Sequence, residues 1–316
     1  MIPGWSGRRV APLVAETAPA RGPGGFGGHD AAEVLRERSG RAVVCVDACV
    51  EGVHFLAGAK PAQVAHKAVA RALSDLAATA AVPEAITLAL RAPKEADERY
   101  LRALLAGVAK AGARFGAELV GGDLTAAPGP LSLTVTALGR LPGRRRAPGR
   151  DRARAGQVLL LTGPVGGSIL GRHLRFEPRL AEGRALFECG ATALMDVSDG
   201  LCIDLRRIAR ASQVCLHIDQ VPLHADARRR ARQTGRTALE HGLLDGEDHE
   251  LLATLPAQAW RNHGPDLQRR FPKLVAIGRV ERGHGLEWLL PEPLPAALMQ
   301  GAGGWLHGNE DFDAVR

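Results

Sequence analysis

Residues 43–55 read VVCVDACVEGVHF, a stretch that begins like a strand and ends in a polar loop. Its valines are β-branched and suit a pleated, half-buried surface, so we predict a strand from Val43 to Asp47, which Asp47 ends with its carboxylate. Glu51 and His54 follow within one loop, and loops of this kind often carry function. An Asp that caps the next element and a His bound by a backbone carbonyl would explain the same residues without any site.

Aspartates recur beside small residues at the edges of three further apolar runs. A single aspartate is normally a solvated surface group. Several at the ends of elements suit a hard cation that binds phosphates, because Mg²⁺ takes carboxylate, water and phosphate oxygens. A separate tract, LLDGEDHELLATL at residues 243–255, adds more carboxylates before a hydrophobic strand. The three runs are LSDLAA with Asp75, VGGDLT with Asp123, and MDVSDGL with Asp196 and Asp199.

The length and composition indicate a globular chain with room for a core. At 316 residues and 46% hydrophobic content, two domains are the natural expectation. The net charge of +7 raises the question of a nucleic-acid partner. The basic residues are nevertheless scattered, and the tight run from Arg144 to Arg146 is interpreted as a solvated linker. Aromatic residues make up only 4% and are not interleaved with basic ones, so we predict no nucleic-acid partner.

The cysteines predict a reducing compartment. The five of them form no CxxC pair and show no spacing typical of a zinc site, so free thiols in the cytoplasm fit best. An apolar run at residues 10–15, VAPLVA, is too short for a signal peptide and is interrupted at once by Glu16. No uninterrupted apolar segment approaches the length of a membrane span, so we predict no membrane partner.

Helical and strand patterns alternate along the chain without the strict βαβ regularity of a doubly wound sheet, which predicts an α+β fold. A segment rich in Arg, Pro and Gly at residues 141–156 is interpreted as the linker between an N-terminal domain, 1–145, and a C-terminal domain, 146–316. Strands are predicted at 43–47, 85–90, 118–120, 132–138, 158–162, 191–196, 215–218, 250–255 and 274–280, and helices at 61–81, 97–115, 201–211 and 225–234.

Two glycine-rich stretches are candidate site elements. Gly121 and Gly122 would let the backbone approach a phosphate closely, with Asp123 placed to meet its metal ion, although a tight turn would use the same residues. The stretch GPVGGSILG at residues 163–171 is predicted to be a turn into a helix. It fits neither the Walker nor the Rossmann spacing, so it identifies no known phosphate loop.

A polar stripe is predicted on the helix at residues 61–81. Residues three or four positions apart lie on the same face of a helix. The alternative is an ordinary pair of Lys and Asp side chains on a solvated face, which would explain the stripe without any functional site. Its members are Lys67, Arg71, Ser74 and Asp75.

Taken together, these stretches resemble thiamine-monophosphate kinases, in the superfamily that includes aminoimidazole ribonucleotide synthetase and selenophosphate synthetase. The resemblance runs from about Gly28 to Trp305 and rests on VEGVHF, LSDLAA, GGD, DVSDGL and GEDHELL. EGVHF and GEDHELL favour this kinase over its relatives. The resemblance implies an N-terminal α/β domain whose sheet forms a homodimer, a C-terminal α/β domain of the aminoimidazole ribonucleotide synthetase type, and ATP held with several Mg²⁺ ions at their junction.

The resemblance also implies a reaction and roles for individual residues. The γ-phosphoryl group of ATP would pass in line to the phosphate of thiamine monophosphate, giving thiamine diphosphate and ADP without a side-chain nucleophile. Divalent cations would neutralise the repulsion between the two anions. The implied metal ligands are Asp30, Asp47, Asp75, Asp123, Asp196 and Asp199; the ATP contacts are Gly121, Gly122, Arg150 and Ser198; and the thiamine monophosphate contacts are His54, Glu247 and Trp305.

Several positions depart from the family pattern. Two hydroxyl residues usually precede the aspartate of the first strand, and this chain has Cys45 and Val46 there. These changes keep open the alternative of a divergent superfamily member that only binds nucleotide, or that uses ATP to activate a carbonyl or amide oxygen of another substrate. The other departures are His29 for an acidic residue, Ala72 for Asn, Leu124 for Thr and Ala126 for Arg.

Overall fold

Residues 32–37 and 40–295 are described in the computed structural model, and they form two sheets with flanking helices. The first sheet contains five strands in the order β1-β2-β5-β3-β4, in which only the β3–β4 pair is parallel. The elements of this half are β1 Ala32–Glu37, β2 Gly40–Val50, α1 Pro61–Ala78, β3 Val82–Ala92, α2 Glu98–Arg114, β4 Glu118–Ala126 and β5 Ser132–Pro142.

The second sheet contains six strands in the order β11-β8-β10-β6-β9-β7. Two short 3₁₀ turns, Ser168–Leu170 and Arg172–Leu174, follow its first strand. The strands are β6 Gln157–Leu161, β7 Ala193–Asp196, β8 Cys215–Ile218, β9 Leu251–Pro256, β10 Val275–Glu281 and β11 Gly285–Trp288, and the helices are α3 Leu180–Glu188, α4 Leu201–Ser212, α5 Ala225–Thr234, α6 Ala238–Leu244 and α7 Ala257–Arg270.

This arrangement confirms the predicted α+β class. The chain leaves the first sheet at Pro142 and enters the second at Gln157, so the segment interpreted as a linker does connect the two sheets. Arg144 and Arg146 are exposed, as predicted, whereas Arg145 donates to the carbonyls of Phe187 and Ala191 and lies over the Phe187 ring. The domain boundary between residues 145 and 146 stays a prediction. Within residues 32–37 and 40–295, none of the helices combines the length and the apolar character that crossing a bilayer requires.

The N-terminal sheet is covered on one face, where α1 and α2 pack. Alternate residues of β3, namely Ile86, Leu88 and Leu90, are buried on this inner face. The opposite face is open and carries apolar and small residues. Val46 and Leu138 on it are 55% and 39% exposed. Antiparallel pairing puts the open face in three rows, Val44–Leu138–Ala85, Val46–Thr136–Thr87 and Ala48–Thr134–Ala89.

Some predicted boundaries were wrong. Asp47 does not end its strand, because β5 continues to pair with β2 as far as Val50. The strand at 118–120 does not stop before the glycines either, because β4 stays paired with β3 as far as Ala126. The pattern also missed α3, α6 and α7, two of which have fewer than ten residues, while α7 contains Pro265.

Candidate active site

The polar stripe of α1 faces the interior. The helix begins with Pro61 in its first turn, where a missing N–H group costs little, and its many alanines let neighbours approach closely. Lys67 and Ser74 are fully buried, and the side chain of Arg71 is 11% exposed. The explanation by a solvated pair is therefore wrong, since buried polar groups need partners inside the protein.

Two cations of this stripe connect the two halves of the chain. Arg71 donates to both carboxylate oxygens of Asp47, at 2.9 and 3.0 Å, and to Glu247 at 2.7 Å. Lys67 donates to the other carboxylate oxygen of Glu247 and to the backbone carbonyl of His54. The predicted substrate residues His54 and Glu247 thus share one ammonium group as a partner.

Glu247 is held as an anion in a strained loop. Burial raises its pKa, but the charges of Lys67 and Arg71 outweigh burial and lower the pKa to about 2. Burial lowers the pKa of Lys67, and Glu247 opposes that effect. The backbone of Glu247 and that of His249 have φ angles of +62° and +50°. Residues other than glycine rarely adopt this region, and such strain concentrates at functional sites.

Asp196, at the end of β7, is bound by two side chains at the same carboxylate oxygen. It accepts hydrogen bonds from the Ser74 hydroxyl at 2.8 Å and from Nδ1 of His249 at 3.1 Å. Burial raises the pKa of Asp196, but the bonds and charge of His249, the bond from Ser74 and the charge of Arg150 lower it overall. The His249 ring stacks on Phe176 with centroids 4.1 Å apart. Among the described residues, its buried Nε2 has no hydrogen-bond partner.

A second carboxylate cluster lies at the start of α4. Arg207 contacts Asp199 at 2.5 Å and Asp204 at 2.7 Å, and the backbone N–H of Asp199 donates to Asp204 at 3.1 Å. Asp204 is fully buried, and burial together with the charge of Asp199 raises its pKa well above the ordinary value. Sequence reasoning missed Asp204. The only signal was an acidic residue in the first turn of the helix that follows MDVSDGL, a position that usually serves the helix dipole.

The glycine loop after β6 packs against the tract at 243–255. The Gly166 N–H donates to both carboxylate oxygens of Asp248 at 3.0 Å, and the Gly167 N–H donates to Asp245 at 3.0 Å. The helix predicted after this turn takes the form of two short 3₁₀ turns. These amides already bind carboxylates of the same chain. Glycine is needed at both positions because both have positive φ angles and because neighbouring backbone atoms leave no room for a Cβ.

The GGD stretch lies on the edge strand β4. The backbone of Leu88 approaches Gly122 so closely that a Cβ there would lie 2.2 Å from the Leu88 carbonyl oxygen. The stretch is therefore neither a loop nor a tight turn. Asp123 pairs in register with Ala89 on the open face and accepts a bond from Thr125 at 2.8 Å. With strands about 4.8 Å apart, β4 lies roughly 14 Å from β2, so one chain does not bring Asp123 to Asp47.

The remaining predicted residues lie at or beside the junction. The Ser198 carbonyl accepts from the Glu247 N–H at 2.7 Å, and the Arg150 carbonyl accepts from the Ser212 hydroxyl at 2.7 Å. Asp75, half-buried in the last turn of α1, is adjacent to Ser74. Asp30 and Trp305 lie outside the described residues.

Two of the departures from the family pattern have opposite environments. Cys45 is buried, and its thiol donates to the carbonyl of Ala72 at 3.0 Å, a bond that a hydroxyl group could also make. Val46 points to the open face. The cysteine therefore ties β2 to α1, and the valine extends the apolar surface.

Comparison with known proteins identifies the family of the chain. Residues 28–141 match the family described as AIR synthase related protein, N-terminal domain. A thiamine-monophosphate kinase of Rhodopirellula baltica is 37% identical over 218 residues, which is 67% of each chain. One from Corynebacterium glutamicum is 35% identical over 281 residues, covering 80% of this chain and 84% of the relative.

A solved structure shows the same fold. AaThiL complexed with AMPPCP and TMP superposes with a TM-score of 0.77 at 28% identity, covering 89% of this chain and 91% of that one. The resemblance inferred from five short motifs is thereby confirmed over most of the chain. The chain belongs to the thiamine-monophosphate kinase family, with an AIR synthase related domain in its N-terminal part.

Proposed function

We propose that the protein transfers the γ-phosphoryl group of ATP to thiamine monophosphate, giving thiamine diphosphate and ADP. Family membership supports this reaction, and AaThiL was solved with AMPPCP and TMP. The observation that carries the proposal is the junction between the two sheets, where Arg71 binds Asp47 and Glu247 and where Ser74 binds Asp196. There, carboxylates from both halves of the chain meet on one buried helix.

The carboxylates fit divalent cations. Asp196, Asp199 and Asp204 lie together, and the pKa of Asp204 is raised by burial first and then by repulsion from the other two, a repulsion of the kind that a divalent cation relieves. We propose that Asp47, Asp75, Asp196 and Asp199, together with Asp30 and Asp123, hold magnesium. Magnesium bound there would neutralise phosphate charge and polarise the transferred group.

The chain's own residues position these ligands. Arg71 donates two parallel hydrogen bonds to the carboxylate of Asp47, and this geometry fixes the plane of the carboxylate. Ser74 and His249 both bind one carboxylate oxygen of Asp196, Oδ2, and so restrict its orientation. No side chain needs to attack, because a phosphate oxygen of thiamine monophosphate is the nucleophile. Gly121, Gly122, Arg150 and Ser198 are proposed contacts of ATP, and His54, Glu247 and Trp305 are proposed contacts of thiamine monophosphate.

The direct test combines purified protein, ATP, Mg²⁺ and thiamine monophosphate. We expect thiamine diphosphate and ADP to accumulate in equal amounts, measured together by chromatography. Absence of both products, with ATP binding still detectable, would contradict the kinase and support the divergent nucleotide-binding relative. ADP formed without thiamine diphosphate would instead indicate another acceptor.

We also propose a homodimer that pairs through the open face of the N-terminal sheet. The three rows of small and apolar residues, including the half-exposed Val46, support this surface, since exposed apolar patches commonly mark interfaces. The same face carries Asp123, so a second copy would pack next to it. The cytoplasmic location stays a prediction supported by five free cysteines.

Val46→Asp is expected to weaken this dimer. A carboxylate in the middle row would be desolvated on association, which we expect to raise the dimer dissociation constant by about 100-fold, or roughly 3 kcal/mol. Sedimentation velocity over a range of concentrations measures it. Leu56→Asp is the matched control, because Leu56 is 56% exposed but lies in the loop after β2. The proposed face would be contradicted if the dimer dissociation constant rose equally in both variants. It would also be contradicted if that constant did not rise in Val46→Asp.

Gly121→Ala and Gly122→Ala form a matched pair on β4. The Gly122 variant is expected to lose about 1–3 kcal/mol of unfolding free energy, because its Cβ clashes with the Leu88 carbonyl. A Cβ at Gly121 meets no described atom within 4 Å. That variant should keep its stability and raise the KM for ATP about tenfold, since the methyl group obstructs the approach of a phosphate. Denaturant unfolding measures the stability of the two variants, and steady-state kinetics measures their KM for ATP. An unchanged KM in Gly121→Ala would remove this residue from the ATP contacts.

A further inference from the structure

Three side chains with metal-binding atoms converge on one face of the C-terminal sheet, far along the strand order from β7. Cys215 and His217 are two residues apart on β8, so both point to the same face. The parallel neighbour β11 pairs Glu287 with His217 in register. The sulfur, one imidazole nitrogen and one carboxylate oxygen lie within 4.8 Å of one another.

This face of β8 and β11 is polar, unlike the opposite one. Leu216 and Ile218 point to the other side, where they pack with Leu286 and Trp288 around α4. On the polar face, Nε2 of His217 contacts Glu287 at 2.9 Å. The cysteine and histidine are half-buried and the glutamate is exposed, so an ion in solvent has access to all three groups.

The chemistry of the three groups selects among cations. Magnesium and calcium prefer oxygen ligands alone, whereas zinc accepts thiolate, imidazole and carboxylate together. Zinc-bound sulfur and nitrogen atoms lie about 3.5 Å apart in a tetrahedral site, so two ligand atoms at the 4.8 Å limit would have to approach by roughly 1 Å. Glu287 is on the edge strand of the sheet and is exposed, which leaves its carboxylate free to adjust its position around a bound ion.

We propose that Cys215, His217 and Glu287 form a zinc site with water as the fourth ligand, separate from the magnesium carboxylates. On binding, the thiol of Cys215 loses its proton to solvent, and its sulfur bonds to the metal. Because Nε2 of His217 contacts a carboxylate and Nδ1 contacts a guanidinium, we place the ring proton on Nε2; on zinc binding it moves to Nδ1, which frees Nε2 as a ligand. The ion links the edge strand β11, only four residues long, to β8 and stabilises that edge of the sheet.

Arg279 of β10 modulates the site. Its guanidinium contacts Nδ1 of His217 at 3.1 Å and also Asp219 and Glu281 at 3.1 Å each. With zinc on Nε2, Nδ1 carries a proton and no longer accepts a bond from Arg279. Arg279→Gln is therefore expected to tighten zinc binding, because the glutamine oxygen can accept that proton and support the ligand.

Titration with Co²⁺ alone tests the site under reducing conditions, since cobalt bound to thiolate absorbs in the near ultraviolet. We expect one thiolate-bound cobalt per chain, displaced by Zn²⁺, and a higher melting temperature with zinc. Cys215→Ser should lose the band, and Glu287→Gln should weaken binding by about tenfold or more while keeping the thiol. Cys189→Ser is the matched control, because Cys189 is also half-buried but lies at the end of α3.

The outcomes separate this site from the kinase site. The Cys215 and Glu287 variants should keep full phosphoryl transfer with Mg²⁺, so the result does not depend on the proposed reaction. A missing band in the wild type, a band that persists in Cys215→Ser, or loss of the band in Cys189→Ser would each overturn the zinc site. Weakening in Arg279→Gln would overturn the role given to Arg279.

Discussion

Asparagine in place of Asp75 is expected to reduce phosphoryl transfer by roughly 10²- to 10³-fold while the protein stays folded. The change keeps the size of the side chain and one oxygen but removes the charge that a metal ion needs. Asp75 is half-buried in the last turn of α1, beside the serine that binds Asp196. The turnover number with ATP, Mg²⁺ and thiamine monophosphate measures the loss, and denaturant unfolding verifies the fold.

Asp123→Asn is expected to show the same loss, although Asp123 lies on the edge strand about 14 Å from Asp47 within one chain. We expect this loss in spite of the distance because Asp123 lies on the open face, which the second copy of the proposed dimer would cover. Asp266→Asn is the control, since Asp266 is exposed on α7 and pairs only with a neighbouring arginine in the described residues. Unchanged turnover in both the Asp75 and Asp123 variants would contradict the proposed kinase site.

Much of the fold followed from local patterns. The β-branched run before Asp47 predicted β2, and alanine-rich composition predicted α1, because both depend on residues close in sequence. The pattern could not show where β2 and β4 end. Their ends depend on how far β5 and β3 continue to pair, and that pairing is set by residues far away in the chain.

The candidate site was predicted less completely. Helical spacing placed Lys67 and Arg71 on one stripe, but only packing decides whether a stripe meets solvent or a partner from the other half of the chain. Asp204 and His249 were missed as site residues, since one is an ordinary first-turn acid and the other acts through Asp196. Spacing along the sequence also showed no zinc motif, because the proposed ligand Glu287 lies beside His217 through sheet register and not through sequence proximity.

Glu247→Gln is expected to lower the free energy of unfolding by about 3 kcal/mol at pH 7. Glu247 is the shared partner of the buried Lys67 and of Arg71, and its pKa of about 2 lies below the ordinary value of 4.5. The neutral amide removes the charge that compensates Lys67, which is fully buried. Breaking a buried ion pair by removing one partner is strongly destabilising for this reason.

The pH dependence of this loss has a definite sign. A carboxylate whose pKa is lower in the folded state contributes stability that is complete above the unfolded pKa and disappears as the pH falls through the folded pKa. The difference between wild type and Glu247→Gln should therefore be constant from pH 8 to about pH 5. It should fall to less than about half by pH 3 and approach zero below pH 2, as Glu247 becomes neutral like the glutamine that replaces it.

Denaturant unfolding at a series of pH values measures this difference. Glu98→Gln is the matched control, because Glu98 pairs with Arg102 on the surface of α2, where both side chains are at least three-quarters exposed. Such a pair contributes about 0.3–0.5 kcal/mol, so the control should change little at any pH. An equal and pH-independent loss at Glu247 would mean that packing, and not charge, holds the two halves together there. A loss that grows toward acid would contradict an ionised Glu247 outright, because only a carboxyl group whose pKa is raised by folding stabilises the protein more at low pH.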